Sequence, residues 1–161
     1  MSTPDAPAVV AYIALGANLG DARATVLQAL QNLDALPRTK LLHRSSLYRS
    51  APVEASGPDF INAVAEVATA LSPQQLLTEL QQLEQAAGRQ RPYRNAPRTL
   101  DLDILLYGDV VLDSPTLVIP HPRMNARAFV LVPLAEIAPA KVTAAQLQAV
   151  RQQALERVSG G

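Results

Sequence analysis

Between Arg89 and Leu106 the chain reads R-Q-R-P-Y-R-N-A-P-R-T-L-D-L-D-I-L-L, and the second half of this stretch admits few conformations. Leu100, Leu102 and Ile104 alternate with Asp101, Asp103 and Leu105. A period of two is that of a β-strand, here with an apolar face to bury and an opposite face carrying two carboxylates. Side chains two apart on a strand lie roughly 6–7 Å apart along the chain. Carboxylates so placed repel unless a cation stands between them. Hard divalent cations, held through carboxylate and phosphate oxygens, are the simplest such partner. The first half, interrupted by Pro92 and Pro97, reads as a loop with Arg89, Arg91, Arg94 and Arg98. These are 4 of the chain's 14 Lys and Arg residues, and no Lys is among them. Guanidinium forks match phosphate in a bidentate way that ammonium groups do not. An Asp-x-Asp strand alone is also compatible with a solvated face and flanking salt bridges. Beside four arginines it reads as the parts of phosphoryl or nucleotidyl transfer.

With 161 residues, a single domain spanning 1–161 is expected, with 1–8 and 159–161 as loose ends. The net charge is zero, so the arginine cluster is local, and neither a nucleic-acid partner nor a membrane surface is expected. The absence of Cys removes disulfides and thiolate metal sites. The N-terminus M-S-T-P-D-A-P lacks the basic and apolar regions of a signal peptide, and no apolar run reaches membrane-span length. A cytoplasmic, stand-alone monomer is the expectation.

Val9 to Leu15 is an apolar run that predicts a buried central strand, followed by a turn at Gly16–Gly20. The turn is not a phosphate-binding Walker loop, whose spacing and Gly-Lys-Ser/Thr ending are missing. Asp21 starts a helix to about Leu36, with Val26, Leu30 and Leu33 on one face. Lys40–Tyr48 alternates and predicts one long strand near an edge, with His43 in a structural role. Ser50–Asp59, containing Pro52, Gly57 and Pro58, predicts a loop, and Phe60–Thr69 a strand. Ser72-Pro73-Gln74-Gln75 is a helix start with Ser as N-cap, and Leu76, Leu77, Leu80 and Leu83 form its apolar stripe up to Gly88. After the Asp-x-Asp strand come a tight turn at Tyr107–Asp109 and short strands at Val110–Leu112 and Thr116–Ile119. An extended Pro120–Arg123 follows, then a helical Asn125–Ile137 interrupted by Pro133, and a C-terminal helix over Gln146–Val158. The order β-α-β-β-α-β predicts an α+β, ferredoxin-like antiparallel sheet with helices on one face and a small C-terminal β/α appendage.

Arg94-Asn-Ala-Pro-Arg98-Thr-Leu-Asp101-Leu-Asp103-Ile-Leu closely resembles the signature of the 6-hydroxymethyl-7,8-dihydropterin pyrophosphokinase family of folate biosynthesis. Ala11-Tyr-Ile-Ala-Leu-Gly-Ala-Asn-Leu-Gly20, Pro58-Asp-Phe60-Ile-Asn62, Ile119-Pro-His121-Pro-Arg123-Met and Arg127-Ala-Phe129 extend the resemblance, in the right order, to about Pro139. The resemblance implies transfer of a diphosphoryl group from ATP, the co-substrate, to the pterin hydroxymethyl group, with release of AMP. It implies Asp101 and Asp103 as ligands of two Mg2+ ions, and Arg89 and Arg98 as catalytic beside them. It implies Arg91, Arg98, His121 and Arg127 as ATP contacts, with Gln81, Glu84 and Ile104 on the adenosine side. For the pterin it implies a sandwich between Phe60 and Phe129, with Asn62, Ser50 and Val53 as further contacts. Two stacked aromatic faces suit a flat heterocycle. The chain departs from the family at Ala51, Asn95 and Pro122, and these bear on loop closure rather than on reaction class.

Two other readings stand beside this one. A nucleotidyltransferase using Asp101 and Asp103 with a Gly16-centred turn would transfer a nucleoside monophosphate and release pyrophosphate instead of AMP. A ferredoxin-like RNA-binding module would show sheet aromatics beside basic surface. Zero net charge and paired aspartates disfavour the latter.

Overall fold

The computed structural model describes residues 8–51, 58–88 and 100–158. In chain order these form β1 (Val9–Ala17), α1 (Ala22–Asp34), β2 (Thr39–Arg44), β3 (Leu47–Ser50), β4 (Phe60–Thr69), α2 (Pro73–Gly88), β5 (Asp101–Tyr107), β6 (Leu112–Asp113), β7 (Val118–Ile119), α3 (Ala128–Ile137), α4 (Ala144–Val150) and β8 (Glu156–Val158). The main sheet runs β5-β1-β4-β3-β8, with β2 also paired to β4, and every pairing is antiparallel. β6 and β7 make a separate two-stranded ribbon.

Strand alternation divides the apolar residues of the sheet between two cores. Ala11, Ile13 and Leu15 of β1 join Ala63, Ala65 and Val67 of β4 and Leu102 and Ile104 of β5. That face is covered by Val26, Leu30 and Leu33 of α1 and Leu76 and Leu80 of α2. On the other face Tyr12, Val64 and Leu105 pack against Val130, Leu131 and Leu134 of α3. Helices therefore cover both faces, where the sequence reading put them on one. The reason lies in α3, A-F-V-L-V-P-L-A-E-I, which is apolar nearly all round and needs a buried site of its own. Pro133 sits inside α3 rather than interrupting it. It removes one backbone donor, and its ring is buried.

The α2 start follows the predicted capping box. Gln75 N donates to Ser72 Oγ at 3.1 Å, and Ser72 N donates to Gln75 Oε1 at 2.9 Å. β4 has the predicted bounds. Three further expectations are corrected. Lys40–Tyr48 is not one strand: it breaks at Ser45–Ser46 into β2 and β3, both on β4. Ser45 bridges the break, its N donating to Val64 O while its Oγ accepts from Val64 N, both at 2.9 Å. A side-chain hydroxyl thus replaces a ladder carbonyl. The C-terminal helix ends at Val150, and Glu156–Val158 becomes an edge strand on β3. Its charges find partners there, with Arg49 Nη1 2.8 Å from Glu156 Oε1. β1 runs on through Gly16 to Ala17, and the turn is confined to 18–20, where Gly20 takes φ 59°. His43, on the edge strand β2, holds the Glu66 carboxylate at 2.6 Å, which fits a structural role.

One carboxylate ties α3 to the strands. Glu136 accepts from Ser46 N at 3.0 Å, Ser46 Oγ at 2.8 Å and Tyr48 Oη at 2.6 Å. Burial alone would raise its pKa, but the hydrogen bonds from Tyr48 and Ser46 outweigh that and hold it below the ordinary 4.5. A depressed carboxylate pKa gives stability that is present above the unfolded value and lost as pH falls through the folded one. Glu136→Gln should therefore lower stability at pH 7 and flatten its loss below pH about 4.5. Urea unfolding across that range checks this, and an unchanged acid limb would mean that Glu136 does not carry it.

Candidate active site

A cavity of about 280 Å³ opens on the α3 side of the sheet. Its floor is the central strand. Gly16 pairs with Asn62 of β4 on one side and Asp101 of β5 on the other, and Ala14 pairs with Val64 and Asp103. On this face of β1 the side chains shrink from Tyr12, packed in the core with α3, to Ala14 and Gly16 in the pocket, which leaves the space open. Phe60, Asn62 and Ser50 line one side, Phe129 and Val130 of α3 another, and Asp101, Asp103, His121 and Arg127 complete the wall.

Asn62 is 4% exposed, and its orientation is determined. Its Nδ2 donates to Tyr48 O at 3.3 Å and to Ser50 Oγ at 2.8 Å. A backbone carbonyl only accepts, so the amide nitrogen must point that way. The amide oxygen then lies toward Gly16: a β-carbon on Gly16 would stand 3.4 Å from Oδ1. An acceptor is thereby presented at the pocket beside the Phe60 ring.

The acidic end depends on an irregularity in β5. The β1–β5 register slips between Tyr12 and Ile13, which leaves Leu105 as an extra residue. Bulges of this kind re-aim neighbouring side chains. The Leu105 carbonyl accepts from His121 N at 3.0 Å and so pins the segment after β7 beside the two aspartates. His121 Nε2 lies 3.9 Å from Asp103 Oδ1, too far for a direct hydrogen bond. Burial lowers the His121 pKa below its ordinary value, and the positive charge of Arg127 lowers it further, against the opposing pull of Asp101. Its Nδ1 accepts from Arg123 N at 3.1 Å, which leaves the proton on Nε2. The ring thus offers an N–H donor toward the carboxylate end. Arg127, just before α3, holds its guanidinium 5.4 Å from the centre of the Phe129 ring.

Of the predicted residues, the pocket brings together Ser50, Phe60, Asn62, Asp101, Asp103, His121, Arg127 and Phe129. Ile104 is not among them. The same alternation that turns Asp101 and Asp103 outward buries its side chain in the opposite core, at 2% exposure. Gln81 and Glu84 lie on α2 away from the lining, and Glu84 Oε2 accepts from Leu102 N at 2.8 Å, bracing β5. Val53, Arg89, Arg91, Arg94 and Arg98 lie outside the described residues. The sequence reading did not place Ala14 and Gly16 in the pocket lining, where the structure has them. The available signal was two small residues, two apart, following Tyr12 on one face of the strand.

Asp101 and Asp103 share a strand face, as hard oxygen donors for a divalent cation should. Among the described residues no group of three or more His, Asp or Glu is gathered for a metal. Two protein carboxylates suit Mg2+, which keeps water and takes phosphate oxygens for its remaining positions.

A family model described as 7,8-dihydro-6-hydroxymethylpterin-pyrophosphokinase (HPPK) matches residues 12–139. A Pseudomonas aeruginosa protein named 2-amino-4-hydroxy-6-hydroxymethyldihydropteridine pyrophosphokinase is 50% identical over 129 residues, covering 80% of this chain and 80% of the relative. A Haemophilus influenzae protein of the same name is 48% identical over 131 residues, covering 81% and 82%. Among solved structures, a Plasmodium falciparum HPPK-DHPS triple mutant matches with TM-score 0.66 at 14% identity. That match covers 85% of this chain and 41% of the other, and it bears on the fold alone.

The Asn62 network generates a prediction about stability. Asn62→Ala removes the donor to two buried acceptors, and a loss of roughly 1–3 kcal/mol is expected in urea unfolding. Unchanged stability would contradict the orientation derived for the amide.

Proposed function

The chain belongs to the 7,8-dihydro-6-hydroxymethylpterin-pyrophosphokinase family, and from that premise we propose that it transfers a diphosphoryl group from ATP to 6-hydroxymethyl-7,8-dihydropterin. The hydroxymethyl oxygen attacks the β-phosphorus. The bond from that phosphorus to the α–β bridging oxygen breaks, AMP leaves with the bridging oxygen, and the hydroxyl proton is released. The observation that carries this reading is one cavity joining the aspartate pair to the two phenylalanines and Asn62.

Each end has a role in the proposal. Phe60 and Phe129 take the faces of the pterin ring, and Asn62 Oδ1 accepts from an N–H on its edge. Ser50 keeps Asn62 aligned, and Val53 enters the proposal through the family resemblance alone, as a further pterin contact. Asp101 and Asp103 would hold Mg2+, two ions by the family resemblance, which when bound offset phosphate charge and polarise the oxygens in transfer. His121 donates its Nε2 proton toward the phosphates, and Arg127 adds positive charge. Arg89, Arg91 and Arg98 would clamp the polyphosphate, since positive charge aimed at the transferring group is usually a leading catalytic effect. Gln81 and the Ile104 main chain would face the adenosine, with Glu84 bracing β5. No dedicated base stands in this account.

The strand order supports reading the core as ferredoxin-like. Counting β2 and β3 as one interrupted strand, β-α-β-β-α-β runs from β1 to β5, and α4 and β8 belong to the C-terminal appendage. The proposal takes 1–161 as one monomeric domain, acting in the cytoplasm on small molecules. Among the described residues no helix is long and apolar enough to cross a membrane.

Product analysis tests the reaction. With ATP, Mg2+ and the dihydropterin, AMP should form only when all three are present. Pyrophosphate release would indicate nucleotidyl transfer instead, and ADP a simple kinase. Asp101→Ala and Asp103→Ala should each lower turnover by 10³-fold or more, on the order expected for loss of a metal ligand, with circular dichroism unchanged. Near-normal activity in either variant would remove the metal assignment.

A further inference from the structure

We infer that Gly16, with Ala14 behind it, is a specificity-determining element: an empty position on the central strand that admits the edge of a flat fused-ring ligand. This rests on the pterin reading above and adds a residue pair to it. Gly16 is not needed for backbone reasons, since among the described glycines only Gly20 and Gly108 have positive φ. Nor does core packing exclude a side chain there. A β-carbon on Gly16 would meet Asn62 Oδ1 at 3.4 Å and Phe60 Cδ2 at 3.8 Å, both ordinary van der Waals distances, with Ile61 O at 4.0 Å. The fold accepts a methyl group at this position.

That methyl would stand in contact with the Phe60 ring and the Asn62 amide at once. A ligand that stacks on Phe60 and hydrogen-bonds to Asn62 occupies the same space. Asn62 cannot swing aside, because both Nδ2 bonds are committed to Tyr48 O and Ser50 Oγ. A strand normally favours bulky or β-branched residues. Alanine and glycine at two successive pocket-facing positions of β1 therefore forgo packing to keep a groove open between Asn62 and the aspartate pair.

The test compares wild type, Gly16→Ala and Ala14→Val for kinetics with both substrates, calorimetric binding of 6-hydroxymethyl-7,8-dihydropterin, and urea unfolding. Gly16→Ala should raise the pterin KM tenfold or more, leave the ATP KM within twofold, and keep the unfolding midpoint. A pterin KM within twofold of wild type overturns the inference while leaving the proposed reaction in place. If Gly16→Ala does not fold, Ala14→Val decides by the same two-substrate comparison. Its added methyl groups suit a strand and project at the same floor. If wild type binds the pterin but makes no AMP, the reaction falls and the variants' dissociation constants judge the groove. If wild type neither binds pterin nor makes AMP, both readings fall.

Discussion

Strand β1 serves two surfaces at once, and the rest of the structure depends on that. Its odd-numbered residues Ala11, Ile13 and Leu15 are fully buried beneath α1 and α2. Its even-numbered residues Tyr12, Ala14 and Gly16 face the other way, first into packing with α3 and then into open space. Period-two geometry makes the two sets inseparable. A register slip of one residue would drive Leu15 into the cavity and Gly16 into the core. Pairing on both sides, to β4 over nine residues and to β5 across a bulge, holds the register. Hydrophobic burial on one face thus positions a polar site on the other.

The site's walls come from elements that are each held by a local device. The bulge at Leu105 aims a carbonyl at His121 N and brings a segment from beyond the β6–β7 ribbon against the aspartates. The Glu136 carboxylate gathers Ser46 and Tyr48, seating α3 and with it Phe129 and Arg127. Tyr48 pays for its place there with a hydroxyl pKa that burial and the Glu136 carboxylate push up to about 12, so it remains a donor at neutral pH. Glu84 on α2 takes the Leu102 N–H at the start of β5, next to Asp101. Four elements distant in sequence are thereby fixed around one floor.

What could be read from residues alone follows the range of the interactions involved. The Asp-x-Asp strand, the Ser72–Gln75 capping box and the bounds of β4 were legible because alternation and capping are local. The break at Ser45–Ser46 was not, because Ser45 replaces a ladder carbonyl only when Val64 lies opposite. The strand Glu156–Val158 was not legible, because it forms through pairing with β3 and ion pairs to residues far away in sequence. Among the described residues, Phe60, Asn62, Asp101, Asp103, His121, Arg127 and Phe129 of the quoted motifs line the pocket, whereas the Ile104 side chain follows strand alternation into the opposite core. Ala14 and Gly16 were not legible as pocket lining because what they supply is the space they leave, and space is visible only once the neighbours are in position.

The most direct measurement is a crystal structure of the protein with 6-hydroxymethyl-7,8-dihydropterin, Mg2+ and a non-cleavable α,β-methylene ATP. The account predicts the ring between Phe60 and Phe129 with its edge over Gly16 and against Asn62, and the cation density at Asp101 and Asp103. A ring bound elsewhere, or metal bridging the phosphates without either aspartate, would contradict it.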